Sequence, residues 1–355
     1  MSSKVPLKKT DSNPLQEPFK LMGLEFAPLS LPWERRMQTL AVLTYVSLFL
    51  TFSLGTMFGL LYLLFFTSYK WIPLFYAAFV WFDIDTCNNG GRSWNFMRSW
   101  FMFPHFVRFF PIKLVKTAEL DPNRTYLIGS HPHGILCFGI FGAFATDCLN
   151  VQDVFPGIYP RLVTLQEQFW LPGSRELISA TGAVASTKKG IESVLRQPKG
   201  TAAILIVGGA SEALNYSPTE VKLVLKKRRG FVRLALKHGT PLVPSFTFGE
   251  QFVYEQAPNP EGSKLRAFQE WFERKLRFSP PIFFGRGVFQ YNWGLVPFRK
   301  PLTVVVGSPI DVIKNEDPTP EEIDQLQEKY IQALSDLYET HNTKYGDQSV
   351  KLVIS

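Results

Sequence analysis

From Met37 to Tyr69 the chain carries no charged residue, and after Lys70 it is uncharged again from Trp71 to Phe82. A single helix crosses the hydrocarbon core of a bilayer in about 20 residues. The run is therefore too long for one span and suits two helices, or a span plus a re-entrant piece. Gly55, Gly59 and Pro73 supply places to bend. Arg35 and Arg36 precede the run, and Arg92 and Arg98 follow it. Basic residues on both flanks favour a hairpin whose two ends share the cytosolic face. A buried core helix is the competing explanation, and charge-free runs this long are rare in soluble domains. The run divides the chain into a polar, Pro-rich tail (1–36), expected to be mobile through Pro18, a transmembrane or re-entrant hairpin (37–82), and a cytosol-facing domain (83–355).

The balance of residues fits that division. Of 355 residues 46% are hydrophobic and only 19% charged, with Phe alone counting 32. A net charge of +8 points to an anionic partner: membrane headgroups, nucleic acid or a phosphorylated cofactor. Nucleic acid is set aside, because the sequence shows no nucleic-acid-binding module. Cys87, Cys137 and Cys148 form no disulfide framework, which suits a reducing, cytosolic face.

Beyond the hairpin, aromatic residues from Trp94 to Phe110 alternate with Arg98, His105 and Arg108. Either a segment in the headgroup plane or a core-packing helix has this pattern. From Thr125 onward short apolar runs predict strands at Tyr126–Ile128, Leu162–Leu165, Ala202–Val207, Leu242–Phe248 and Leu302–Val306. Helical patterns fall between them, at Ile135–Cys148, Lys188–Arg196 and Gly230–Lys237. The alternation predicts an α/β domain, a sheet covered by helices. Thr319-Pro320-Glu321-Glu322 is a capping box with Pro at the first helical position. It opens a helix whose apolar stripe is Ile323, Leu326, Tyr330, Leu334 and Leu337.

The chemistry is concentrated in four stretches. Tyr126 to Ile128 runs into Gly129-Ser130-His131-Pro132-His133-Gly134, a strand ending in a turn with two imidazoles. Pro132 restricts both itself and its predecessor, so the imidazoles are held in place, and Gly134 lets a substrate approach the backbone. Imidazole is the side chain best suited to proton transfer near neutral pH. Metal binding would need further ligands, and the nearest, Cys137 and Asp147, lie in or at the end of the apolar run. A buried strand ends at Gly208-Gly209-Ala210-Ser211-Glu212. The basic run Lys226-Lys227-Arg228-Arg229 enters a helix, and Leu242–Phe248 ends at Gly249-Glu250. Together they supply a base, an orienting acid and an anion site near strand ends.

With the His-Pro-His-Gly turn, these stretches resemble the diacylglycerol acyltransferase 2 family, which includes monoacylglycerol and wax-alcohol acyltransferases. The likeness runs from about Gly23 to Gly346. It takes in Gly90-Gly91-Arg92, Phe110-Pro111-Ile112-Lys113-Leu114-Val115-Lys116-Thr117, Phe155-Pro156-Gly157, Arg229-Gly230-Phe231 leading to Phe248-Gly249-Glu250, Gly294-Leu295-Val296-Pro297 and Val305-Val306-Gly307-Ser308-Pro309-Ile310. The family's Tyr-Phe-Pro stands here as Phe109-Phe110-Pro111, and its Phe-Leu-x-Leu as Phe49-Leu50-Thr51-Phe52.

The resemblance implies transfer from long-chain acyl-CoA, a co-substrate rather than a resident cofactor, to a neutral lipid hydroxyl. The expected acceptor is diacylglycerol, with monoacylglycerol or a long-chain alcohol as the alternative. The expected place is the endoplasmic reticulum membrane and the lipid-droplet surface; homo-oligomerisation is left open. It makes His133 the general base, with His131 in support and Pro132, Gly134, Gly208 and Gly209 shaping the turns. Related acyltransferases carry an Asp five positions after the His, where this chain has Phe138, so Glu212 is expected to hold the imidazole. Lys226, Lys227, Arg228 and above all Arg229 are expected to meet the CoA phosphates. A lipid-droplet coat protein without turnover is the competing class, and it needs none of His133, Glu212 or Arg229.

Overall fold

The computed structural model describes residues 19–28, 30–260, 262–276 and 280–355; the tail through Pro18 lies outside them. The central element is a seven-stranded sheet. Its strands are β1 (Lys113–Lys116), β2 (Tyr126–His131), β3 (Tyr159–Thr164), β4 (Val184–Ala185), β5 (Thr201–Ile206), β6 (Leu242–Phe248) and β7 (Thr303–Val306), in the spatial order β1-β7-β6-β2-β5-β3-β4. From β6 to β4 all neighbours are parallel; β7 runs antiparallel to β6 and parallel to β1. β2 and β6 are buried along their whole length, as continuous apolar runs in a parallel sheet require.

Side chains of β2 alternate between two cores. Leu127 packs on the face covered by helices Lys188–Leu195, Gly230–His238 and Pro320–Tyr345. Tyr126 and Ile128 face the other way, onto Ile140, Ala143, Phe144 and Phe155. The capping box at Thr319 forms as expected: its hydroxyl accepts from the Glu322 N–H (3.2 Å), and the Glu322 carboxylate accepts from the Thr319 N–H (2.8 Å). All five residues of that helix's apolar stripe are buried.

Two expectations change. The helix expected over Ile135–Cys148 is instead a loop to Cys137, one short turn at Phe138–Ile140 and a wider π-type turn at Phe141–Ala145. Cys137 adopts a left-handed φ of 54°, which no helix interior tolerates, so the helical turn starts only after it. The aromatic segment resolves into both of its alternatives: Phe103, Phe106, Phe109 and Phe110 are core, whereas Trp94, Phe96 and Phe101 are exposed.

The long apolar run also meets two environments. Helix α1 (Trp33–Ser47) buries Ala41, Val42, Tyr45 and Val46 against Phe106 and Phe138. A π-type turn (Leu48–Phe52) leads into α2 (Ser53–Phe66), and α3 (Trp71–Asp83) folds back on it. α2 and α3 leave Phe58, Tyr62, Phe65, Phe66, Phe75 and Trp81 largely exposed. They are fastened at their base: Ser53 to Ser174 (2.5 Å), Tyr76 to Glu176 (3.1 Å), and Asp83 to both Arg92 (2.8 Å) and Arg175 (2.9 Å). The 14 residues of α2 reach only about 21 Å. Among the described residues no helix is long and apolar enough to cross a membrane.

Candidate active site

The register of the sheet brings three strand ends together. Ser130 of β2 lies opposite Ile206 of β5 and Ser245 of β6. The loops leaving β2, β5 and β6 therefore emerge side by side at the carboxyl edge, where parallel sheets place ligands. β2 delivers the His turn, β5 delivers Glu212 and β6 delivers Glu250.

His133 is half-buried. Its ring Nδ1 lies 3.0 Å from the Gly134 carbonyl oxygen, which can only accept. Nδ1 therefore carries the proton, and Nε2 is left as the basic nitrogen. Burial holds the imidazole below its usual pKa, opposed by the Gly134 bond, so the ring is neutral at physiological pH. His131, two residues earlier, is fully buried, and burial pushes it down to about 3. Its Nε2 lies 3.1 Å from the Tyr330 hydroxyl.

Glu212 does not hold the imidazole. One carboxylate oxygen accepts from the His133 backbone N–H (2.9 Å), the other from the Val224 N–H (2.9 Å). The carboxylate runs alongside the main chain of the turn, where those two N–H groups converge, and so braces the turn rather than the ring. Burial pushes it up to about 7, against the opposing pull of both N–H groups and Arg228. Its placement accounts for Gly208, and the backbone for Gly209. A Cβ on Gly208 would stand 1.7 Å from the Glu212 carboxyl carbon, and Gly209 takes a φ of 62°.

Glu250, in sequence only a strand-end carboxylate, is the matching brace on the other side. It is buried, and its oxygens accept from the N–H groups of Phe138 (2.8 Å) and Gly139 (2.9 Å). It thus caps the first turn after the His loop. Burial pushes it up to about 7 as well, opposed by those two bonds. A Cβ on Gly134 would meet its Cγ at 2.6 Å. The signal in the sequence is a Gly-Glu pair closing an apolar strand.

Pro132, Gly134, Ile135, Glu212, Glu250 and Tyr254 line one narrow pocket. The backbone N–H groups of Gly134 to Cys137 have no hydrogen-bond partner among the described residues, and of these residues Gly134 and Ile135 line the pocket. Two unpaired N–H groups beside a neutral imidazole are suited to stabilising a developing oxyanion. From the far side Tyr45 of α1 donates its hydroxyl to the Leu136 carbonyl (2.7 Å), so the buried start of the apolar run also holds this loop.

The basic run divides. Lys226 and Lys227 are exposed. Arg228 reaches the Gly208 carbonyl (3.3 Å) and the Ser211 hydroxyl (3.0 Å). Arg229, the residue favoured from the sequence, turns away and pairs with Asp324 on helix Pro320–Tyr345 at 2.9 Å. The member of the run that borders the site is Arg228.

Residues 62–355 match the diacylglycerol acyltransferase family. 2-Acylglycerol O-acyltransferase 1 of Bos taurus is 41% identical over 326 residues, 92% of this chain and 97% of that protein. Diacylglycerol O-acyltransferase 2 of Danio rerio is 40% identical over 334 residues, 92% of each. Acyl-CoA wax alcohol acyltransferase 2 of Mus musculus is 39% identical over 297 residues, 83% of this chain and 89% of that protein. Among solved structures, the 1-acyl-sn-glycerophosphate acyltransferase PlsC of Thermotoga maritima aligns over 86% of this chain and 95% of its own, with a TM-score of 0.38 and 11% identity, too remote to map residues. The match at 62–355 spans the His turn, both carboxylate braces and the C-terminal helix, and the chain belongs to the diacylglycerol acyltransferase family.

Proposed function

We propose that this chain transfers the acyl group of a long-chain acyl-CoA to the free hydroxyl of diacylglycerol, with His133 as general base. Membership of the family makes it an acyl-CoA-dependent acylglycerol O-acyltransferase. The base assignment is carried by one observation, the His133 Nδ1 contact with the Gly134 carbonyl, which leaves Nε2 free to accept a proton. Nε2 takes the proton of the lipid hydroxyl as its oxygen attacks the thioester carbonyl. The oxyanion that forms is held by the N–H groups of Gly134 and Ile135. When the carbon–sulfur bond breaks, the imidazolium returns the proton to the departing thiolate. A positioned base of this kind contributes about 10²–10⁴-fold.

The acceptor and the acyl chain of the donor are lipid, and the exposed aromatic flanks of α2 and α3 suit immersion in a bilayer. In this reading the two helices enter the endoplasmic reticulum membrane, or the surface of a lipid droplet, from the cytosolic side. The pocket then lies within reach of acceptor dissolved in the bilayer, and the basic run meets the CoA phosphates from the aqueous side, Arg228 foremost.

The acceptor is tested with microsomes carrying the chain, labelled oleoyl-CoA and equimolar monoacylglycerol, diacylglycerol and long-chain alcohol. Label is expected mainly in triacylglycerol formed from the added diacylglycerol. The three relatives stand at 41, 40 and 39% identity, so only the product decides. Dominant diacylglycerol or wax ester would reassign the acceptor.

A further inference from the structure

His131 and Tyr330 are both completely buried, on elements almost 200 residues apart in sequence (|i−j| = 199). The Tyr330 hydroxyl lies 3.0 Å from the Gly129 carbonyl and 3.1 Å from His131 Nε2. A hydroxyl has one proton. The carbonyl can only accept, so Tyr330 donates to Gly129 and must accept from His131 Nε2–H. That fixes His131 in one tautomer, with Nδ1 bare. Nδ1 has no hydrogen-bond partner among the described residues, in keeping with a ring that stays neutral. The sequence makes room for this contact: a Cβ on Gly129 would lie 2.1 Å from the Tyr330 hydroxyl oxygen. The Tyr330 ring itself packs on Phe231, 5.1 Å between centroids.

We infer that Tyr330 is a positioning residue for acyl transfer, acting through His131: its hydroxyl clamps the end of β2 at two points, on either side of Ser130, and so sets the turn that carries His133 and the Gly134 and Ile135 N–H groups. The C-terminal helix Pro320–Tyr345 thereby becomes part of the catalytic apparatus without touching substrate. The first His of the turn serves as an anchor, in keeping with its complete burial and its absence from the pocket lining. The inference rests on the reading of His133 as base.

Tyr330→Phe keeps the ring packing and removes only the hydroxyl. Turnover per inserted molecule is expected to fall about 10- to 100-fold, the scale on which small misplacements act. The KM for acyl-CoA and for acceptor should stay unchanged. His131→Ala should fall at least as far, and the double variant His131→Ala/Tyr330→Phe no further than His131→Ala, because the two side chains act as a unit. His131→Gln places an amide donor near the same point. It should recover part of the loss in the presence of Tyr330 and none in Tyr330→Phe. Multiplicative losses in the double variant would overturn the proposal, as would equal activity of His131→Gln and His131→Ala. If Tyr330→Phe reduces the amount of folded protein, the His131→Gln comparison still decides. A fully active His133→Ala would remove the base while leaving the coupling between His131 and Tyr330 to be read on its own.

Discussion

The His turn and the α2–α3 hairpin are held in opposite ways. The turn is gripped from several elements: Glu212 and Glu250 each hold two backbone N–H groups, Tyr330 grips the strand end, and Tyr45 the loop. Among the described residues the N–H groups of Gly134 to Cys137 are left without a partner, and of these four residues Gly134 and Ile135 line the pocket. The hairpin is tied at its base by Ser53, Tyr76 and Asp83, and beyond that presents apolar side chains outward. A site specified by the protein's own contacts is sensitive to single atoms; one specified by its solvent is sensitive to charge. Substitutions in one region should therefore leave the other's function intact.

The largest effect is expected at the turn. His133→Ala should lower turnover by about 10²–10⁴-fold, the usual contribution of one positioned base. Inserted protein and retention of acyl-CoA should be unchanged, since the backbone N–H of position 133 still reaches Glu212. Turnover must be normalised to inserted protein. Near-normal specific activity would show the imidazole to be a packing group and overturn the mechanism.

The hairpin should show the converse. Phe65→Lys and Phe75→Lys each place a cation on an outward face of α2 or α3, where the present side chains are 67% and 71% exposed. A charge buried in a bilayer costs about 2.5–3.5 kcal/mol on insertion scales. The double variant should leave the carbonate-resistant membrane fraction for the soluble one. Its activity on a short-chain, detergent-dispersed acceptor should persist, because no residue of the pocket has changed. Undiminished membrane retention would mean that α2 and α3 face another protein surface or are not immersed.

This contrast also explains what was legible in the sequence. Five strands of the central sheet were legible because continuous apolar runs between turn residues have few alternatives, whereas its two edge strands, Lys113–Lys116 and Val184–Ala185, have no such run and were not; the capping box at Thr319 was legible because its bonds are local. The His turn was legible from residue type. What Glu212 grips was not: a carboxylate near an imidazole reads as its partner, and only the register of β2 against β5 shows that it meets the backbone instead. Glu250 was undervalued for the same reason, since its partners Phe138 and Gly139 lie more than 100 residues away (|i−j| = 112 and 111). Tyr330 was legible as one member of an apolar stripe, and its hydroxyl was silent until Gly129 was placed against it. The apolar run read as one segment because periodicity does not register which neighbours arrive; Phe106 and Phe138 claim its first part for the core.

The smallest effect concerns the braces and pH. Burial holds the carboxyls of Glu212 and Glu250 up at about 7, against an ordinary value of 4.5. Between those values the folded protein keeps protons that the unfolded chain has released. The folded state binds more protons there, so stability falls as pH rises. The contribution is fully present below about 4.5 and is lost as pH passes through about 7. Glu250→Gln stays neutral throughout, so its decline over that window should be shallower than the parent's. It also loses one acceptor for the Phe138 or Gly139 N–H, a uniform cost of about 1–3 kcal/mol at every pH. The two curves should therefore start apart at pH 5 and converge toward pH 7. Thermal unfolding of detergent-solubilised protein at pH 5, 6 and 7 measures this directly, with a difference of a few degrees expected to narrow across the series. Parallel curves would mean that the two N–H groups outweigh burial and keep Glu250 ionised, which would make it a fixed negative charge beside the oxyanion site rather than a neutral brace.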